Sequence, residues 1–170
     1  MRSKSEYIIP FEGLKLGVHE YEFKLDNTFF AREMHSFVEK GELNLKFKLE
    51  KKERMMLGAF DFSGYVIKPC DLCTEDVKVP LKGSFDIIFK FGDEDSDDEN
   101  LIMVASNEFE IDITPLCIEF ITSMIPSKVL HPEGECNEEM LALLKKYSAG
   151  SDESENTESD PRWAALKNLN

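Results

Sequence analysis

Leu43-Asn44-Leu45-Lys46-Phe47-Lys48-Leu49 decides the fold class, because apolar side chains occupy every odd position and polar ones fill the positions between. A period of two puts all four apolar groups on one face of an extended strand. The same pattern recurs on both sides. Upstream, Tyr7 to Phe11 and His19 to Leu25 read as strands split by a turn from Gly13 to Gly17, with Tyr21, Phe23 and Leu25 on one face. Downstream, Phe60 and Phe62, then Tyr65 and Ile67, alternate across a Ser63-Gly64 break that predicts a β-bulge. Val77, Val79 and Leu81 lead up to Gly83, and Phe85, Ile87, Phe89 and Phe91 continue beyond it, so one long bent strand is expected. Leu101 to Val104 and Phe109 to Ile113 read as extended edge pieces.

Helix signals are few. Asn27 and Thr28 are placed to cap a short helix through Phe29, Phe30, Met34 and Phe37 that stops near Gly41. Thr114-Pro115 opens a core helix over 114–125, with Leu116, Cys117, Phe120, Ile121 and Met124 on one side and Pro126 ending it. Asn137-Glu138-Glu139 opens another, whose Met140, Leu143, Leu144 and Tyr147 are expected to face inward. The expected class is α+β: a strongly bent, mainly antiparallel sheet or partial barrel, packed by the helix over 114–125.

Residues 1–147 are expected to form the single folded domain, a size able to bury a real core. Residues 148–160 are rich in Ser, Glu and Asp, the composition of a disordered acidic linker. The closing Asp160-Pro161-Arg162-Trp163-Ala164-Ala165-Leu166-Lys167-Asn168-Leu169 then reads as a short capped helix with Trp163, Leu166 and Leu169 on one face. So short a helix is unstable free in water, so residues 161–170 are expected to dock, in cis or on a partner, through Arg162, Trp163, Leu166 and Leu169.

The net charge of −14 is local. Asp93, Glu94, Asp95, Asp97, Asp98 and Glu99 make one acidic loop, and Asp152, Glu153, Glu155, Glu158 and Asp160 another, so the remaining chain carries only three net negative charges. Runs of this kind repel phosphate and attract basic proteins. The loop at 93–99 lacks the glycine and terminal glutamate of an EF-hand. Lys46, Lys48, Lys51, Lys52 and Arg54 form the one modest basic patch, read as the polar face of an exposed strand. No apolar run is long enough for a membrane span and no signal-peptide core is evident, so the cytoplasm is expected.

Pro69-Cys70-Asp71-Leu72-Cys73 joins two strands, and two thiolates at that spacing can hold one side of a tetrahedral metal ion such as zinc. His131 and Cys136 supply the other half if the segment after the 114–125 helix folds back; the alternative is a surface turn with reduced cysteines. Cys117 lies on the buried face of its helix and is no ligand candidate. A redox role fails on context, since catalytic CxxC pairs open a helix and here a strand follows. Nucleotide-binding, serine-hydrolase and zinc-protease motifs are missing from the sequence, as is any small-molecule signature.

Cys70-Asp71-Leu72-Cys73 after a Gly-Tyr-Val-Ile strand, Asp112-Ile113-Thr114-Pro115-Leu116, and the closing Asp160-Pro161-Arg162-Trp163-Ala164-Ala165-Leu166-Lys167 together resemble the YceD family, the large ribosomal RNA subunit accumulation proteins. The chain differs from that pattern at Leu72, where the family has arginine, and in keeping the single Cys136 of a later cysteine-rich stretch. The resemblance implies a part in producing or maintaining 23S ribosomal RNA. Because the family's gene often neighbours that of a small zinc-ribbon protein of the large subunit, it also implies a ribosomal-protein partner. The expected function is therefore a non-catalytic factor of large-subunit biogenesis that binds a ribosomal protein or pre-50S particle, with the acidic tracts shielding basic surface. The alternative is a metal-dependent enzyme acting on ribosomal RNA at Cys70, Cys73, His131 and Cys136.

Overall fold

The computed structural model describes residues 6–32, 37–92, 98 and 100–148. Among the described residues, seven strands and three helices follow in the order β1 (Ile8–Pro10), β2 (Gly17–Leu25), α1 (Asn27–Arg32), β3 (Lys40–Lys51), β4 (Met55–Pro69), β5 (Asp76–Phe91), β6 (Leu101–Val104), β7 (Glu110–Asp112), α2 (Thr114–Met124) and α3 (Glu138–Tyr147). Five strands form one open sheet in the order β2-β3-β4-β5-β6, and β1 pairs with β7 in a separate antiparallel ribbon. The class is α+β, and the large sheet does not close into a barrel. It is antiparallel throughout except at β6, which runs parallel to the end of β5 with Ile88 opposite Leu101.

The alternation at 43–49 does what its period requires: Leu43, Leu45, Phe47 and Leu49 are all buried on one face. The bulge expected at Ser63-Gly64 is not there. Pairing of β4 with β3 and β5 runs in constant register through Gly64, which lies opposite Leu43 and Leu81. Met56, Phe60, Phe62 and Val66 carry the buried parity, while Tyr65 and Ile67 point to the opposite face, where the Lys78 ammonium lies 3.6 Å over the Tyr65 ring. Gly64 interrupts the visible pattern because it occupies a core position with no side chain.

β5 runs unbroken through Gly83, as its two apolar halves predict. A Cβ there would meet Met124 Sδ of α2 at 2.5 Å, so the glycine admits the end of that helix onto the sheet. Pro80 is tolerated because β6 pairs only with residues 88–91 and leaves the other edge of β5 open at that point. α2 places Phe120 against three sheet aromatics: stacked on Phe85 at 4.3 Å, and edge-on to Phe60 at 5.2 Å and Phe62 at 6.3 Å. This cluster anchors the helix expected at 114–125.

α1 is shorter than its expected extent, and Gly41 belongs to β3, where it makes room for the Phe30 ring. Met34 lies outside the described residues. The cap also differs: Asp26 Oδ1 accepts from the Thr28 amide at 2.8 Å and its hydroxyl at 2.6 Å, while Asn27 Oδ1 accepts from the Gly41 amide. Thr28 donates to the Asp26 carboxylate and holds its pKa below the ordinary value. α3 departs most from expectation. Only Met140 packs against the core, and Leu143, Leu144 and Tyr147 are exposed.

Three of the five residues of the basic patch at 46–54 have partners within the protein. Lys46 and Lys52 stand near Glu22 and Glu50 at 3.8 and 3.5 Å, and the Lys51 ammonium donates to the carbonyls of Phe11, Glu12 and Leu14. Among the described residues no helix is long and apolar enough to cross a membrane.

Candidate metal centre

The β4–β5 connection is a tight turn built by its own backbone. Cys70 N–H donates to the Glu75 carbonyl at 2.8 Å, Thr74 N–H donates to the Cys70 carbonyl at 2.9 Å, and Thr74 takes the left-handed conformation at φ 63°. Leu72 N–H points at Cys70 Sγ, 3.4 Å away. This geometry turns both cysteine side chains to the same side, where they are almost fully buried.

The chain after α2 returns to meet them. Asp71 fixes the approach with two opposed hydrogen bonds, its amide donating to the Val129 carbonyl at 2.8 Å and its carboxylate accepting from the Val129 amide at 2.7 Å. Two residues later His131 arrives at the turn, and the Pro132 to Glu135 turn brings Cys136 beside it. Asn137 caps α3 by accepting from the amides of Glu139 and Met140, and its side-chain amide donates to Glu75 of the β4–β5 turn at 2.7 Å.

All four sequence-selected residues therefore converge. One ligand atom from each of Cys70, Cys73, His131 and Cys136 lies within 4.8 Å of every other. Cys70 Sγ is 3.8 Å from Cys136 Sγ, and His131 Nδ1 is 3.3 Å from Cys73 Sγ and 3.9 Å from Cys136 Sγ. Zinc–sulfur bonds of ~2.3 Å at tetrahedral angles put neighbouring sulfurs ~3.8 Å apart. Three sulfurs and one imidazole nitrogen make a donor set suited to zinc, and these three separations are close to the edges of a tetrahedral site.

Burial pushes the Cys70 thiol up, but the Cys73 and Leu72 amides, with His131, outweigh it and bring the pKa to about 6. Cys136 goes the other way, to about 11, through burial and then its contacts with Cys70 and Cys73. Cys117 is pushed well above the ordinary thiol range, by burial first and by Asp112 second. It belongs to the α2 core as expected, and burial keeps it protonated.

Asp71 is the positioning residue that sequence reading missed. It stands in the sequence only as the residue after Cys70, and no spacing announces that its carboxylate holds Val129. Of the residues expected to meet partners, Asp98 is described, its carboxylate accepting from the Asn100 amide at 3.0 Å. Asp93, Glu94, Asp95, Asp97 and Glu99, and Arg162, Trp163, Leu166 and Leu169, lie outside the described residues.

The family model described as "Large ribosomal RNA subunit accumulation protein YceD" matches residues 59–170, a span that contains all four converging side chains, α2 and α3. The chain belongs to the YceD family. The protein printed as "Uncharacterized protein YlbN" of Bacillus subtilis (strain 168) is 27% identical over 127 residues, which cover 75% of this chain and 73% of that protein. No solved structure matches. The YceD match begins inside β4, so the Cys70, Cys73, His131 and Cys136 cluster belongs to the shared region while β1, β2 and β3 lie before it.

Proposed function

We propose that this chain is a non-catalytic factor of large ribosomal subunit biogenesis that supports 23S rRNA synthesis, processing or accumulation by binding a basic ribosomal protein or a pre-50S particle. Membership of the YceD family, whose name ties it to large-subunit rRNA accumulation, carries the reading. Charge supports it. The six acids at 93–99 and five at 152–160 repel phosphate and favour a basic protein, the component of a ribosome that most needs shielding before it meets RNA. The terminal Arg162, Trp163, Leu166 and Leu169 are proposed as a second attachment point.

Zinc at Cys70, Cys73, His131 and Cys136 serves this reading as a clip between the β4–β5 turn and the base of α3. Four protein ligands complete a tetrahedron, the arrangement of structural zinc, whereas catalytic sites keep a position for water or substrate. That donor count favours the assembly factor over a metal-dependent enzyme acting on ribosomal RNA. The deciding experiment follows a tagged full-length chain through a sucrose gradient. Co-migration with large-subunit precursors, or recovery of a ribosomal protein with the tag, is expected at low salt and should fade as salt rises. Free migration with no bound partner would overturn the reading, and RNA cleavage that tracks zinc content would replace it with the enzyme.

A further inference from the structure

β2 is an open edge of the large sheet. It pairs with β3 alone, in constant register from Gly17 to Leu25, and carries neither a proline nor a bulge. The direction of its backbone groups follows from the β3–β4 hairpin, which the Lys52 amide closes by donating to the Met55 carbonyl. Antiparallel strands alternate bonded and non-bonded pairs, so even-numbered residues of β3 face β4 and odd-numbered ones face β2. Gly41 obeys this parity, its amide donating past the end of β2 to Asn27. Val18, Glu20, Glu22 and Lys24 therefore direct their N–H and C=O groups outward. Among the described residues these groups meet one partner, the Tyr7 hydroxyl on the Lys24 carbonyl. Proteins block such edges with proline, lysine or a bulge. The free stretch of β5 has that protection in Pro80 between Lys78 and Lys82, whereas β2 from Gly17 to Phe23 has none.

The side chains select what adds to this edge. On the outer face Asp61, Lys46 and Glu22 stand in one row across β4, β3 and β2, alternating in sign, and Lys48 and Glu20 stand in the next. Glu22 is 79% exposed, and its side away from Lys46 has no neighbouring strand. Lys24 is engaged by Glu42 at 2.7 Å. On the other face Tyr21 and Phe23 stack on each other and are half-buried. A strand laid beside β2 thus meets carboxylates at alternate positions on one face and aromatic rings on the other. Opposite charges across strands are favoured and like charges penalised. A second copy is disfavoured, because any two-fold register that uses most of β2 sets Glu20 or Glu22 against a glutamate. Nucleic acid is disfavoured too, since these carboxylates repel phosphate.

We infer that the open edge of β2 takes an extended segment of a basic partner protein as an added strand. Lysine or arginine at alternate positions faces Glu20 and Glu22, and apolar residues between them cover Tyr21 and Phe23. In strand addition the main chain supplies affinity and the alternate side chains supply specificity. This inference rests on the proposed binding of a basic partner and adds where, and in what conformation, that partner binds.

The test follows amide exchange in the full chain by NMR, with a capped seven-residue peptide alternating valine and lysine as the probe. In the free protein the amides of Val18, Glu20 and Glu22 should exchange fast and those of His19, Tyr21 and Phe23 slowly; the peptide should slow the first three. A peptide with glutamate in place of lysine should bind about tenfold or more weakly, and Glu20→Lys/Glu22→Lys should reverse that order. Glu20→Pro removes one outward amide and no ladder bond. It should abolish peptide binding with the circular dichroism spectrum unchanged, and weaken co-migration with large-subunit precursors. Failure of the lysine peptide to bind at millimolar concentration, equal binding of the two peptides, or undiminished co-migration of Glu20→Pro overturns the inference. So does slow exchange at the even positions that grows with protein concentration, the sign of a second copy. The proposed function survives each of these while the wild type co-migrates; a wild type that migrates free removes both.

Discussion

A side chain at position 64 would have to occupy space already taken by β3, and its absence is what lets β3 and β4 run in register. A Cβ built on Gly64 overlaps the Glu42 carbonyl oxygen and lies 2.8 Å from Leu43 Cα, and the backbone there has φ 153°, a region L-residues rarely adopt. Gly64→Ala should therefore destabilise the fold by about 3 kcal/mol, combining strain and strand displacement, against about 0.5 kcal/mol or less for exposed Ser63→Ala. Urea midpoints of the two variants check this. At the metal cluster, the expected outcome is one zinc per chain, lost in Cys73→Ser and Cys136→Ser. In the ion-free protein at pH 7, Cys70, with its pKa near 6, is mainly thiolate and Cys136, near 11, is thiol. Zinc uptake must therefore release the Cys136 proton, and as pH falls through 6 Cys70 takes up a proton that competes with the metal. Zinc retention, followed with a chromogenic chelator, should weaken from pH 7 to pH 5; retention independent of pH across that range would count against thiolate ligation by Cys70.

α2 and α3 were equally readable in the sequence as amphipathic helices, yet the protein uses them differently. α2 has a wall to meet: Phe120 stands among Phe60, Phe62 and Phe85, and Phe120→Ala should cost about 3–5 kcal/mol in a denaturant titration. α3 has the same spacing with no wall, which periodicity alone does not reveal, because a helical stripe reports that a face is apolar and not what covers it. Its stability should accordingly be local. Asn137 supplies its cap and its tie to Glu75, so Asn137→Ala is expected to weaken the helix by about 1 kcal/mol. Hydrogen exchange should quicken at residues 138–147 and stay unchanged in β3, β4 and β5. Equal acceleration across the sheet would mean that α3 is part of the cooperative core.

At the scale of the molecule, the sequence disclosed strands through their period of two and the candidate metal ligands through their chemistry, while long-range pairing stayed hidden. Nothing near Ile8–Pro10 indicates that it pairs with Glu110–Asp112, and nothing at Leu101 shows that β6 runs parallel to β5. Cys70, Cys73, His131 and Cys136 were selectable because few residue types bind zinc, but their convergence depends on α2 crossing the sheet and on Asp71 holding Val129. That division predicts what removing the metal does. The sheet supplies most of the core, with Leu43, Leu45, Phe47, Phe60 and Phe89 buried, and Cys70, Cys73 and Val129 join the same hydrophobic cluster at the β4–β5 turn. The segment after α2 reaches the turn through the Val129–Asp71 pair, the Asn137–Glu75 bond and the ligands themselves. A chelator should therefore lower the thermal midpoint of the zinc-loaded protein, since an ion present at 1,000 times its dissociation constant stabilises by about 4 kcal/mol. The structural loss should be confined: exchange at 70–75 and 129–147 rises, and the amides of β3, β4 and β5 keep their protection. If chelation unfolds the sheet as well, the cluster is a condition of the whole fold, as in small zinc domains, and not a clip added to a sheet that stands without it.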